Sequence, residues 1–415
     1  MNIAVIGGGA SGMTAAIAAR YAGAEVTIFE HMPRMGKKLL LTGSGKCNIS
    51  NADMDLSHFH GGDGSVIKSV LERCTHYVTR RFFEGLGLIY KDRGGYYYPY
   101  CEQASAVVDV LRFAIRDMGI EVHTDIDIRS IDTLQPIKED SKKGFVIMTN
   151  EGRYVFDKVI LCCGSSSNRN TGSDGSGYIL AKKLGHSVIK PLPALTYLTC
   201  EEGFYPSIAG IRTRAGISLM LYDDDGTEEL LGSEMGELQL TKRGISGIPV
   251  FNLSRLAIKA ADEGKSVKAR IDFLPEVMPE DMIDFLKDRF ASLSGRKAEE
   301  AFIGLFAKPL GICFLKRCGI NLQMLAGDMK DSDLIKLADT IKSFETFISG
   351  SGDFEAAQTV QGGVSLSEVT PNLESRIVPG LYFAGEILDV DGDCGGYNLQ
   401  WAVSSGMAAG REAAG

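Results

Sequence analysis

Six histidines among 415 residues, with no HExxH and no paired Cys/His set, leave no pattern for a structural or catalytic metal. The nine cysteines are odd in number and contain no C-x-x-C pair, which speaks against a disulfide framework and fits reduced thiols. No apolar run is long and charge-free enough to span a bilayer, and the opening MNIAVIGGG lacks the charged n-region of a secretory leader. A cytoplasmic chain without a membrane partner is therefore expected. Positive charge is also short: the formal net charge is -9. That balance argues against a nucleic-acid partner, because such proteins neutralise phosphates with a basic face. Neither a low-complexity tract nor a repeat of solenoid period is present.

Glycine is in excess, with 49 residues where an average composition of about 7% would give far fewer. The glycines cluster beside strand-like runs. In VIGGGASGMTAAIAARYAGAEVTIFE, Asn2 to Ile6 reads as a strand, Ser11 to Ala22 as a small-residue helix and Glu25 to Glu30 as a second strand. The turn between them spells Gly7-x-Gly9-x-x-Gly12. Gly7 permits a tight turn, Gly9 lets backbone approach a pyrophosphate, and Gly12 lets the helix close on the strand. Glu30 stands about twenty residues on, where a carboxylate can accept from ribose hydroxyls and disfavours a 2'-phosphate. This is a dinucleotide cradle for NAD or FAD.

Helical patterns recur at Ser65 to Leu86 and Ala104 to Met118. Strand-like runs follow at Glu121 to Ile131, Gly144 to Asn150 and Arg153 to Cys162, read as a meander with a charged turn, PIKEDSKKG, between the first two. From about Pro191 the chain turns β-rich (GISLMLY, KARIDFLP), and from Pro279 helical (PEDMIDFLKDRFASL, SDLIKLADTIKSF). Near Gln358 the glycine-and-strand style returns. The expected fold class is α/β: a discontinuous Rossmann-like domain, 1–190 with 357–415, interrupted by a β-rich, barrel-like domain, 191–277 with 342–356. That domain carries a helical subdomain, 278–341.

Three further stretches would be idle in a simple NAD dehydrogenase. HMPRMGKKLLLTGSGKCNISN interleaves Arg34, Lys37, Lys38 and Lys46 with Gly36, Gly43 and Gly45, which suits a backbone strap over a pyrophosphate or flavin. VILCCGSSS is an apolar strand aimed at Gly164. GLYFAGEILDVDGDCGGYNLQWAVSSG ends a strand at Gly385-Glu386, passes an acidic loop (Asp389, Asp391, Asp393) without an EF-hand pattern, and opens a helix at Gly395-Gly396. A helix start there can stabilise negative charge on the pyrimidine end of a reduced flavin. No second intact GxGxxG marks a dedicated NAD(P)H domain.

Together GGGASG, MGKKLLLTGSGKCNISN, TGSDGSGYILAKKLGH, TKRGISGIPV and YFAGEILDVDGDCGGYNLQWAVSSGMAAG resemble the BaiN-like flavoproteins, also described as aminoacetone oxidase family FAD-binding enzymes. The resemblance runs nearly the whole chain in order. It implies non-covalent FAD on a Rossmann-like domain interrupted by a β-barrel-like and a small helical domain. It also implies flavin contacts at Gly7, Gly9, Ala10, Ser11, Gly12, Glu30, Lys38, Gly43, Gly45, Lys46, Cys47 and Asn48. Gly164, Gly385, Glu386, Asp393, Gly396, Tyr397, Asn398 and Leu399 complete that set. The commoner family form has arginine at Lys46 and three glycines where this chain has Gly43-Ser44-Gly45. Lysine lacks the planar fork of arginine.

An FAD-dependent oxidoreductase is expected, passing two electrons between a small organic substrate and the flavin. Reoxidation would be by oxygen or another acceptor, and NAD(P)H is a transient donor candidate. Alternatives are a flavin-dependent tRNA-modifying enzyme and a non-catalytic nucleotide-binding regulator. Catalytic candidates are few: Cys47 in the strap, Arg243 in the loop read at TKRGISGIP, and Tyr397. Tyr96, Tyr97, Tyr98 and Tyr100 read as packing, His58 and His60 as loop residues, His186 as structural and Trp401 as core.

Overall fold

The computed structural model describes residues 1–134, 144–223 and 225–415. The chain divides into two compact units, Met1–Pro193 with Phe354–Gly415, and Ala194–Asp353.

The first unit is built on strand β1 (Asn2–Ile6), helix α1 (Ala10–Tyr21), β2 (Glu25–Phe29), β3 (Glu121–His123), β4 (Lys158–Leu161), β5 (Leu381–Phe383) and the final helix α2 (Tyr397–Ala414). The five strands form one sheet in the order β5-β4-β1-β2-β3, every neighbouring pair parallel. Parallel strands need their connections elsewhere, so such a sheet is wrapped by other elements and its strands read as continuous apolar runs. Ile3, Ala4 and Val5 of β1 and Val159, Ile160 and Leu161 of β4 are all fully buried. α1 lies along β1 and β2, and α2 lies along α1, β4 and β5. A three-stranded antiparallel sheet (Ile128–Leu134, Gly144–Thr149, Arg153–Phe156) packs on Phe29, whose ring meets Tyr154 at 5.0 Å and Phe156 at 5.8 Å. The Rossmann-like fold expected from the sequence is present.

Several boundaries differ from the sequence reading. The runs Glu121 to Ile131 and Arg153 to Cys162 each split between the two sheets, the parallel one taking 121–123 and 158–161. The charged turn at 136–144 lies, apart from Gly144, outside the described residues. The helical pattern Ser65 to Leu86 is two helices, Gly64–Arg73 and His76–Gly85, because the Thr75 side chain caps the second by accepting from the N–H of Val78. The tyrosine run forms a hairpin, Tyr90–Arg93 against Tyr96–Pro99, which adds Ser50–Asn51 as a third strand.

The second unit contains a closed six-stranded barrel: Leu198–Cys200, Gly244–Ser246, Glu228–Thr241, Arg212–Tyr222, Ser266–Asp272 and Phe344–Ser351, in that order around the ring. Alternation fills it: Ala215, Ile217 and Leu219 on one strand and Val267, Ala269 and Ile271 on its neighbour are buried. The same hydrophobic core continues into helices Met282–Ser292, Lys308–Arg317 and Asp331–Lys342. The middle helix is obscured in sequence by Gly311, whose missing side chain makes room for Phe302: a Cβ there would lie 2.7 Å from that residue. The segment TKRGISGIP is a tight turn and a short barrel strand rather than a loop. Barrel pairing overrides its glycines.

Candidate functional site

At the carboxyl end of β1 the chain turns at Gly7, whose φ of +104° suits only glycine and whose N–H donates to the Phe29 carbonyl at 2.8 Å. A side chain would be stopped at Gly7 by the Cys162 carbonyl at 2.4 Å, and at Gly12 by the Gly7 carbonyl at 1.8 Å. At Gly9 it would meet nothing within 4 Å. Gly7 and Gly12 are thus demanded by packing, while Gly9 leaves the mouth of α1 open. α1 begins with no side-chain cap and no acidic residue in its first turn, so the positive end of the helix is not offset by a carboxylate of that turn.

Glu30 follows β2 and is buried. Its two carboxylate oxygens accept from the backbone N–H of Gly8 at 2.7 Å and of Met32 at 2.8 Å. Neither Gly8 nor Met32 was singled out in the sequence, since a backbone donor leaves no residue-type signal.

The strap and the two later glycine stretches meet through one polar network. Lys38 donates to the carboxylate of Glu386 and, at 2.6 Å, to the Ser167 hydroxyl. Ser165 donates to the same carboxylate at 2.9 Å and receives Ser167 and Ser173 as hydroxyl neighbours. Lys38, Gly164 and Glu386 are therefore brought together, with Ser165, Ser167 and Ser173 as members the sequence reading missed. The triple serine after Gly164 was the signal for Ser165 and Ser167, and Ser173 stands in the separate stretch TGSDGSG.

Gly385, at φ +84°, sits against α1, where a side chain would meet the Ser11 hydroxyl at 2.5 Å. Its N–H donates to Ser405 at 2.9 Å, and its carbonyl accepts from the Trp401 indole at 3.2 Å. α2 opens at Gly396 (φ +98°), again with no side-chain cap. Asn48 comes up beside that opening: its side-chain oxygen would stand 3.0 Å from a Cβ on Gly396 and is buried with no hydrogen-bond partner among the described residues. Ser166 has a buried hydroxyl beside the Gly164 turn that is without a hydrogen-bond partner among the described residues. Gly43, Ser44 and Gly45 all have positive φ, so Ser44 holds a left-handed conformation that the glycine of the commoner family form adopts freely. Lys46 is exposed.

Of the catalytic candidates, Cys47 is fully buried, and burial pushes its thiol up to about 12. It is protonated and shielded at neutral pH. Tyr397 is buried, its hydroxyl raised by burial, with its ring stacked on His58 at 4.4 Å. Arg243 belongs to the other unit, exposed on the turn between two barrel strands. His58 and His60 are more than loop residues: they donate to opposite oxygens of Asp393 at 3.0 and 2.9 Å. Their signal was the i, i+2 spacing of SHFH leading into strand Phe59–Gly61, which pairs with Val390–Gly392. Asn398 closes the same loop, its side chain exchanging two hydrogen bonds with the Gly392 backbone at 2.9 and 2.7 Å. Among the described residues no group of three or more His, Cys, Asp or Glu is placed to hold a metal ion.

The family model for the HI0933-like protein Rossmann domain matches residues 1–412. The chain belongs to this family. It is 39% identical to the 3-dehydro-bile acid delta(4,6)-reductase of Clostridium scindens, covering all of this chain and 99% of that one. It is also 28% identical to the ribosomal RNA dihydrouridine synthase of Haemophilus influenzae, over 97% and 96% of the two chains. Among solved structures, the 3-ketosteroid-delta4-(5alpha)-dehydrogenase of Rhodococcus jostii RHA1 shares the fold, with a TM-score of 0.51 at 15% identity, covering 100% of this chain and 96% of that one. Among the described residues no helix is long and apolar enough to cross a membrane.

Proposed function

We propose that this HI0933-like protein is an FAD-dependent oxidoreductase that reduces a carbon–carbon double bond conjugated to a carbonyl in a small cyclic molecule, with NAD(P)H as the electron donor. The observation that carries the reading is the convergence of three glycine turns with two uncapped helix starts. α2 contacts Ser11 of α1 through Gly406 and begins nine residues before that glycine. α1 begins one residue before Ser11, so at 1.5 Å per residue the two helix starts are offset by roughly 12 Å, which leaves room for an elongated ligand to touch both. The open face of Gly9 and the unpartnered oxygens of Asn48 and Ser166 fit such an occupant.

On this reading the α1 start and the Gly7–Gly12 turn hold the diphosphate, Glu30 the ribose, and Asn48 with the first turn of α2 the pyrimidine end. Lys38 and Glu386 enter the ring of contacts as an ion pair, neutral overall. Bound FAD would supply the two-electron chemistry. The protein's part is to bind, orient and exclude water, and the helix start stabilises the charge carried by the reduced cofactor. In balance, one hydride equivalent from NAD(P)H and one proton from solvent saturate the double bond.

The substrate class rests on chemistry shared by the two relatives' names. A delta-4,6 3-oxo steroid and a uracil ring both present an alkene polarised by a carbonyl. Identity of 39% against 28% favours the alicyclic ketone. The acidic net charge points the same way, and the RNA substrate is the second reading because the Haemophilus influenzae relative aligns over nearly its full length. The test is anaerobic titration of the purified flavoprotein with NADH and NADPH, followed by each acceptor. Bleaching of the flavin bands, then recovery on adding an unsaturated cyclic ketone, is the expected result. Recovery only with uridine-containing RNA establishes the second reading, and a protein that takes up no FAD sinks the proposal.

A further inference from the structure

Asp393 is where the acidic loop is tied down. Its side chain is 15% exposed, and besides the two imidazole donors its own N–H donates to the His58 carbonyl at 3.0 Å. The far nitrogen of His58 faces Asp53 at 3.3 Å, and its ring lies on that of Tyr397 with 18° between the planes. Tyr397 and Asn398 are the first residues of α2. An imidazole bracketed by two carboxylates therefore rests on the first residue of an uncapped helix.

Resting on the flavin reading above, we propose that His58 is a positioning residue that fixes the Asp393 loop against the start of α2 and supplies a titratable positive charge to that end of the flavin site. Burial alone would lower the His58 imidazole, but its hydrogen bonds to the Asp393 and Asp53 carboxylates outweigh it and hold the group above its ordinary range. Asp393 is buried too, which would raise its carboxyl; donation from His60 and His58 takes it below the ordinary value. The remaining charged or titratable groups nearby are Asp55, His60, Tyr397, and Asp391, which faces His60 in the strand register, with Asp389 next to Gly62. Of these, His60 alone is a second imidazole.

The sign follows from the raised imidazole. Its stabilising contribution is fully present below the ordinary histidine value and is lost as pH rises through the higher folded value. A protonated His58 favours the more negative, reduced cofactor. Deprotonation removes that preference.

The decisive measurement is the midpoint potential of the FAD-loaded protein across about pH 5.5 to 9, read alongside the imidazole NMR titration of the flavin-free protein. His58→Asn keeps a donor where Nδ1 meets Asp393 but cannot titrate. In the wild type, the preference for reduced over oxidised FAD is expected to fall about fivefold at the pH where the His58 resonance titrates, and in His58→Asn the step at that pH is absent while any step that follows the His60 resonance remains. Asp53→Asn, on an exposed side chain, is expected to move the step to lower pH. A step shared by wild type and His58→Asn overturns this inference alone, as does a His58 resonance that titrates in the ordinary range. Failure of the wild type to take up FAD overturns the flavin reading and this one with it.

Discussion

Gly9 and Gly12 stand three residues apart in one motif, yet a methyl group added to each meets different obstacles. At Gly12 it would press on the Gly7 carbonyl at 1.8 Å, so backbone must move. At Gly9 the backbone is extended (φ -78°, ψ -169°), which alanine accepts, and no protein atom stands in the way. Gly12→Ala should cost about 2–3 kcal/mol of stability in a thermal melt. Gly9→Ala should leave the flavin-free melt unchanged or slightly raised while weakening FAD at least about tenfold in a fluorescence titration. An FAD affinity for Gly9→Ala equal to wild type would remove the diphosphate assignment. The motif itself spelled out both glycines, but only the structure separates the one that packs from the one that faces open space. Glu30 shows the same limit: its position was legible, whereas its two backbone donors were not, because N–H groups are the same in every residue except proline.

At the scale of elements, the pairing of α1 with α2 organises the first unit. Gly406 meets Thr14 and the Ser11 carbonyl, and Gly410 meets the Ala15 carbonyl, where an added Cβ would lie at 2.2 Å. The helices touch backbone to backbone along this line. Alanine is intrinsically better than glycine inside a helix by about 1 kcal/mol, so Gly410→Ala would stabilise an isolated helix. Here overpacking should reverse the sign, for a net loss of about 1–2 kcal/mol seen as a lower melting temperature. A stabilised Gly410→Ala would show that the helices are further apart than described. The Gly395-Gly396 pair announced the start of the last helix, and the glycine turns announced the strands that feed them. Elements held by distant pairing were harder to read. The hairpin at Tyr90 to Pro99 is completed by Ser50–Asn51, and the strand at Gly244 by barrel neighbours, so neither carries its own periodicity. The His58–Asp393 clamp joins residues more than three hundred positions apart, and only the i, i+2 histidines hinted at it.

At the scale of the molecule, the barrel unit is a single continuous stretch whose ends are already neighbours. Leu198 near its beginning pairs with Ser351 near its end, and the unit has a core of its own. Residues 194–353 expressed alone should give a β-containing circular dichroism spectrum and one cooperative unfolding transition; a featureless, non-cooperative melt would refute its autonomy. The first unit has the opposite character, since its opening helix is completed only by the final one. A ribosome adding about 5 to 20 residues per second would leave α1 without its partner for on the order of 20 to 75 seconds. During that interval the small-residue face of α1 that Gly406 and Gly410 cover stands open. The barrel, whose partners all lie within its own stretch, can close first. A stop codon that removes only α2 would therefore strand α1 and the first unit while sparing the barrel unit, every residue of which is made before α2.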